Sequence, residues 1–187
     1  KPHRNTIRIS NGSNEKTQIM IIILTSLINQ HHDFSDFDCG EPALNEFAKK
    51  DAFEQYQNNE SSTYVLTLAD SNKVIGFFTL AHYSVRTSKV SELVPGQYSA
   101  TRLILLGRLA VDKLYQKQGL GEDLTSYALE LCYETSKLLK FKGVGVHPKN
   151  EKLLQFYSKF GFLETPIDGL MILLMDKLVD SMNKEDR

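Results

Sequence analysis

The run Gln116-Lys117-Gln118-Gly119-Leu120-Gly121 has residue types and a spacing that suit one chemical task, holding a phosphate. It follows an apolar segment from Leu103 to Val111, and a helix-period pattern starts at once with Leu120, Leu124, Tyr127, Ala128 and Leu131. A strand, a glycine-bearing loop and a helix N-terminus in that order make an anion site. The first-turn N–H groups lack intrahelical partners, the helix dipole is positive there, and glycine lets a phosphate approach the backbone. Two other phosphate loops do not fit. No Gly-x-x-x-x-Gly-Lys-Ser/Thr run exists, and a dinucleotide fingerprint needs a third glycine where Leu124 stands. Taken alone, the hexapeptide also fits a helix-opening turn whose glycines serve only tight packing.

The elements that must position this loop are legible in outline. The pattern predicts a strand over 20–24 and a helix over 42–57, with Pro42 in its first turn and Leu44, Phe47, Ala48 and Ala52 on one face. Strands over 63–69 and 73–84 flank the turn Asp70-Ser-Asn, and 86–102, with Pro95-Gly96, reads as a loop. A strand over 103–111, a helix over 119–138, a strand over 141–146, a helix over 150–160 and a strand over 170–176 complete an α/β domain spanning 20–177. Residues 1–19 are polar and aperiodic, which predicts a flexible leader, and 178–187 form a charged tail.

The second notable stretch is Asn150-Glu-Lys-Leu-Leu-Gln-Phe156-Tyr157-Ser-Lys-Phe160-Gly161-Phe162. Asn150 suits an N-cap, Leu153, Tyr157 and Phe160 share a helical face, and Gly161 suits the position just past the helix. By itself Tyr157 reads as a core tyrosine of an amphipathic helix.

Together the two stretches resemble the signatures of the GNAT N-acetyltransferase family, in family order. A third set of matches is similar to the acetyltransferase toxins of bacterial type II toxin–antitoxin systems. It comprises Phe37-Asp38-Cys39-Gly40-Glu41 ahead of a helix, Ser62-Thr63-Tyr64-Val65, Val74-Ile75-Gly76-Phe77-Phe78, and Gly107-Arg108-Leu109-Ala110-Val111-Asp112. The resemblance spans roughly Met20 to Lys177. It implies a GNAT fold, a mixed and mostly antiparallel sheet split at a cofactor cleft and flanked by helices. It also implies acetyl-CoA as co-substrate, the amino group of aminoacyl-tRNA as acceptor, a ribbon-helix-helix antitoxin as partner and, in a family that often dimerises, a homodimer.

The same resemblance assigns roles. Backbone groups of Leu109, Ala110 and Val111 would pair with the pantetheine arm like an added strand, one N–H facing the developing oxyanion. Amides from Lys117 through Gln118, Gly119, Leu120 and Gly121 to Glu122 would hold the pyrophosphate, with Gln116 closing the loop. Tyr157 would give a proton to the departing thiolate, since a phenol of pKa about 10 is protonated at neutral pH. Asn150 either reaches the cofactor or caps its helix. Arg108 either contacts substrate or pairs with Asp112. No residue stands out as general base, which leans toward an α-amine acceptor, pKa about 7.7–8, over a lysine amine at about 10.4.

Composition sets the remaining bounds. With 187 residues, 41% of them hydrophobic, the chain forms one ordinary domain with a sizeable core. A net charge of −1 counts against a polyanionic partner, although Lys137, Lys140, Lys142, Lys149, Lys152 and Lys159 crowd the later third. Cys39 and Cys132 form no Cys-x-x-Cys pair, and His3, His31, His32, His82 and His147 show no metal spacing. No metal and a reducing, cytoplasmic setting are therefore expected. The apolar stretch from Ile19 to Ile28 falls short of the ~20 residues that span a bilayer, so no membrane role is expected. Two alternatives stand beside the toxin: an acetyltransferase acting on a small amine or a protein N-terminus, and a non-catalytic module that binds CoA.

Overall fold

A computed structural model describes residues 3–8, 20–69, 71–96 and 98–185. Its contacts group the chain into two units, Lys1–Thr79 with Arg108–Thr125, and Leu80–Gly107 with Ser126–Arg187.

In the first unit the strands are ordered β1 (His3–Arg8), β2 (Met20–Leu27), β3 (Ser62–Leu68), β4 (Val74–Arg86) and β5 (Ala100–Val111), the last two contributing one end each. β2 runs antiparallel to both neighbours, with Ile7 opposite Ile21 and Thr25 opposite Leu66. β1 lies in the stretch expected to be a leader, whereas residues 9–19 lie outside the described residues. Val74 to Thr79 of β4 are all buried, as an apolar run covered on both faces should be. The predicted helix over 42–57 is α1 (Pro42–Glu46) and α2 (Ala52–Gln57) joined by a π-helical turn, Phe47–Asp51. That segment packs Phe47, Ala48 and Ala52 against Phe37, Val65, Phe77 and Ala110. Phe77 takes three rings around it, Phe34, Phe37 and Phe47, at centroid separations of 6.3, 5.6 and 6.0 Å.

The second unit orders the other ends of β4 and β5, then β6 (Gly143–Val146), β8 (Met171–Leu174) and β7 (Leu163–Glu164). β6 is antiparallel to β8, and β8 to β7. β6 is parallel to β5 through only two pairs, Ile104–Val144 and Leu105–Gly145. That short parallel contact beside the antiparallel β6–β8 and β8–β7 pairs makes the sheet mixed, as expected. α3 (Leu120–Leu138) runs from one unit into the other, α4 (Glu151–Ser158) follows β6, and α5 (Met175–Glu185) ends the described chain.

Three stretches differ from the sequence reading. β4 runs on to Arg86 and β5 starts at Ala100, so much of the expected loop is strand, joined by a turn at Thr87–Lys89. Its scattered valines explain this: Val85, Val90 and Val94 are buried against Leu103, Leu170 and Ile172, and the Thr87 amide donates to Ser99 O at 3.0 Å. β8 stops at Leu174, and the charged end forms α5, whose Leu178 is buried. The short edge strand β7 has no counterpart in the predicted elements.

Candidate active site

The first unit holds Arg108 through Glu122. Where β5 ends, the Asp112 amide donates to Ile75 O at 2.9 Å, which fixes Leu109–Val111 as ladder beside β4. The Asp112 side chain is buried and accepts two backbone amides, Asp38 N on Oδ2 and Leu114 N on Oδ1, each at 2.9 Å. It thereby caps the turn Lys113–Tyr115. The Asp38 carboxylate in turn takes Lys113 Nζ at 2.8 Å, Asn45 Nδ2 at 2.7 Å and the Gly40 amide at 2.9 Å. Lys113 above all, then those two donors, hold its carboxyl at about 2. Gln116 Nε2 donates to Val111 O at 2.8 Å and to Cys39 O at 2.9 Å. The Phe37–Gly40 segment and the phosphate loop are therefore one hydrogen-bonded body, a link that sequence reading missed because no local spacing announces it.

The loop itself turns through positive φ at Lys117 (60°) and Gly119 (85°). Gly119 O accepts the Glu122 amide at 2.9 Å and the Asp123 amide at 3.1 Å. The amides of Leu120 and Gly121, one step earlier, have no acceptor among the described residues, as expected of a first helical turn. A Cβ built on Gly121 meets no heavy atom within 4 Å, so protein packing does not require glycine there. Free amides on the positive end of a 19-residue helix, with open approach, fit a pyrophosphate. Glu122 and Asp123 sit in the same turn and oppose an anion; burial first, then the charge of Glu122, hold Asp123 above its ordinary range.

The Arg108 guanidinium carbon sits over the Phe47 ring, 3.8 Å from its centroid, rather than paired with Asp112. The Asp112 carboxylate is taken up by two backbone amides and is not shaped as a base by these contacts.

The second unit holds Asn150 and Tyr157. Asn150, in extended conformation, accepts the Leu153 amide on Oδ1 at 3.0 Å and so caps α4. Tyr157 is 8% exposed, edge-on to Phe156 at 5.1 Å and Phe162 at 5.5 Å. Burial pushes its phenol up to about 12. Its hydroxyl makes no hydrogen bond among the described residues, so its proton is uncommitted. Just past β6, His147 Nε2 lies 3.3 Å from the Tyr83 hydroxyl with the rings perpendicular, a pair 64 residues apart in sequence and invisible in it. Cys132 is fully buried with its thiol raised to about 12, a packing residue without nucleophilic character. Among the described residues no group of His, Cys, Asp and Glu is placed to hold a metal, and no helix is long and apolar enough to cross a membrane.

The profile of the Acetyltransferase (GNAT) family matches residues 29–162. The chain is 31% identical over 155 residues to a tRNA-acetylating toxin of Mycobacterium tuberculosis, covering 80% of this chain and 90% of that protein. Against a probable toxin TacT of Sinorhizobium fredii it is 27% identical over 165 residues, covering 81% and 90%. A solved structure of a Tyr-to-Phe mutant of the toxin AtaT, bound to the C-terminus of the antitoxin AtaR and acetyl-CoA, matches with TM-score 0.72 at 25% identity, covering 86% of this chain and 98% of that one. With the family profile spanning most of its length and the strand-loop-helix unit formed, the chain belongs to the GNAT family of acetyltransferases.

Proposed function

We propose that this protein is a toxin that transfers the acetyl group of acetyl-CoA to the α-amine of an aminoacyl-tRNA and so blocks translation. The observation that carries this is its 31% identity, over 90% of the relative's length, to a tRNA-acetylating toxin. An antitoxin of ribbon-helix-helix type would neutralise it, and a homodimer is the working assembly. The likeness to an AtaT structure containing the antitoxin AtaR supports an antitoxin partner.

In this mechanism the Leu120 and Gly121 amides hold the pyrophosphate, with Gln116 fixing the loop's entry through its two carbonyl contacts. Leu109 to Val111 supply strand-like backbone groups to the pantetheine arm, and one N–H faces the carbonyl oxygen as charge develops there. The neutral amine attacks, the C–N bond forms, the C–S bond breaks, and the amine's surplus proton leaves to solvent. Tyr157 serves the sulfur. With its phenol at about 12, well above a thiol's ordinary ~8.5, complete proton transfer from oxygen to sulfur is uphill. Its role is to donate a hydrogen bond that strengthens as the sulfur gains charge, the proton balance closing through water. Asn150 acts through its cap, positioning the helix that carries Tyr157.

The net charge of −1 favours a second reading with a small amine as acceptor. The test is transfer of labelled acetyl from acetyl-CoA to a pool of charged tRNAs, with deacylated tRNA and the Tyr157→Phe variant as controls. Label on charged tRNA alone, lost in the variant, is the expected result; label on small amines but on no tRNA would replace the toxin reading with the second one.

A further inference from the structure

Away from Tyr157 and Asn150, the second unit carries two cavities that share Thr87, Gly96, Tyr98 and Ala100 and so form one trough. Their volumes are about 230 Å³ and about 750 Å³. Arg102, Lys140 and Lys142 line the first and Arg86 the second. Among the described residues neither cavity is lined by an aspartate or glutamate, although acids slightly outnumber Lys and Arg in the whole chain, 23 to 22. Arg86, Arg102 and Lys142 make no ion pair among the described residues. Arg102 and Lys142 are held side by side because the Lys142 amide donates to Arg102 O at 2.9 Å. Lys140 is already committed, its Nζ donating to Ser136 O at 2.7 Å near the end of α3. Within the trough the Thr87 and Thr101 hydroxyls bond each other at 2.9 Å, and Tyr98 stands beside them 78% exposed.

Unpaired cations concentrate counterions, and a bound polyanion gains by releasing them. An exposed tyrosine next to such cations offers a face on which an unstacked base can lie. A trough open to solvent, with these cations and an exposed tyrosine in its lining, suits a strand of nucleotides. We propose that this trough binds the RNA of the acceptor substrate, with Arg86, Arg102 and Lys142 on its phosphates and Tyr98 under a base. The inference rests on the aminoacyl-tRNA reading for its choice of RNA and adds to that reading the place where the RNA lies.

The test measures binding of deacylated tRNA across a salt series, for the wild type, an Arg102→Gln/Lys142→Gln double variant and Tyr98→Ala. The double variant should bind roughly tenfold more weakly, with the slope of log affinity against log salt reduced by about 1–2. Tyr98→Ala should weaken binding roughly tenfold with the slope unchanged. Acetyl transfer to an amino-acid methyl ester, which has no RNA, should be unchanged in both, as should the melting temperature. Wild-type affinity and slope in the double variant would overturn the proposal, as would a wild type that binds no tRNA. Loss of affinity for an acidic peptide with tRNA binding intact would overturn it in favour of a protein partner. Because deacylated tRNA is not acetylated, the trough can pass while the acceptor reading fails, or the reverse.

Discussion

The backbone amide of Asp38 and the Asp112 carboxylate meet at 2.9 Å across 74 residues of chain, and the loop Gln116–Gly121 hangs from that contact. Asp112 satisfies the start of the loop's 3₁₀ turn, Asp38 holds Lys113, and Gln116 reaches back to Cys39 O. Removing the Asp112 carboxylate leaves two amides without acceptors, one of them at a helical cap. Asp112→Ala should cost about 2–3 kcal/mol in urea unfolding and raise the KM for acetyl-CoA. Stability within about 0.5 kcal/mol of wild type would show the network to be incidental.

Gly121→Ala separates packing from binding. Gly121 is helical and a Cβ there meets no atom within 4 Å, so the substitution should be neutral or stabilise by about 0.5–1 kcal/mol. The added methyl nevertheless stands beside the amides offered to the pyrophosphate, and acetyl-CoA affinity should fall roughly tenfold, by the loss of one close charge-assisted contact. Calorimetric titration with CoA, read beside thermal melting, checks both; unchanged affinity would move the phosphate elsewhere.

Tyr157→Phe, which removes one hydrogen-bond donor to the charge developing on sulfur, should lower kcat by ~10²–10³ with little change in KM for acetyl-CoA. The Tyr157 ring packs on Phe156 and Phe162, and phenylalanine preserves both contacts, so the fold should persist. A loss of only a few-fold would return this residue to packing.

The pH dependence follows from the same phenol. Burial raises it to about 12, so the donating form is present at all lower pH and is lost only as pH approaches that value. On the proposed aminoacyl-tRNA reading the acid limb belongs to the acceptor α-amine, ordinarily near 7.7–8 and lower in an ester. A profile of kcat/KM should rise through that amine and then stay level past pH 10. A decline already complete by pH 10 would contradict a buried phenol as donor.

Asp38 titrates near 2, lowered chiefly by Lys113. A depressed carboxyl contributes above its ordinary value of 3.8 and loses that contribution as pH falls through its folded value, so the motif should hold its geometry well below pH 3.8. Lys113→Met removes the largest cause and should move the Asp38 midpoint up toward 3.8, as read by carboxyl chemical shifts in an NMR titration.

The strand-loop-helix around Gly119 was legible because an apolar run, two glycines and a 3.6-residue period all fall within 35 residues or so of one another, where local patterns operate. Asn150 as a cap was legible for the same reason, and the Leu153 amide donates to its Oδ1. The Asp38–Asp112 and Tyr83–His147 pairs were not, since contacts 74 and 64 residues apart leave no periodic trace. β4 and β5 reached further than predicted because serines and threonines dilute the valines that bury the 85–94 stretch. α5 was hidden by its charges: Asp176, Lys177 and Asp180 are exposed while Leu178 is buried. Arg108 shows another limit: a guanidinium beside a carboxylate in sequence settled on the Phe47 ring, an aromatic surface supplied by a different element.

The bond from Asp38 to Asp112 also bears on how the protein is made. A nascent chain carries Phe37 to Asn45 long before Asp112, Lys113 and Gln116 have been synthesised, and contacts of such sequence separation form late. Until the ribosome has passed Gly121, the early segment has no loop to hold and the loop has no glycines to offer. The assembled loop is thus withheld from partial chains, and the early segment waits on residues made much later before it can take its final hydrogen bonds.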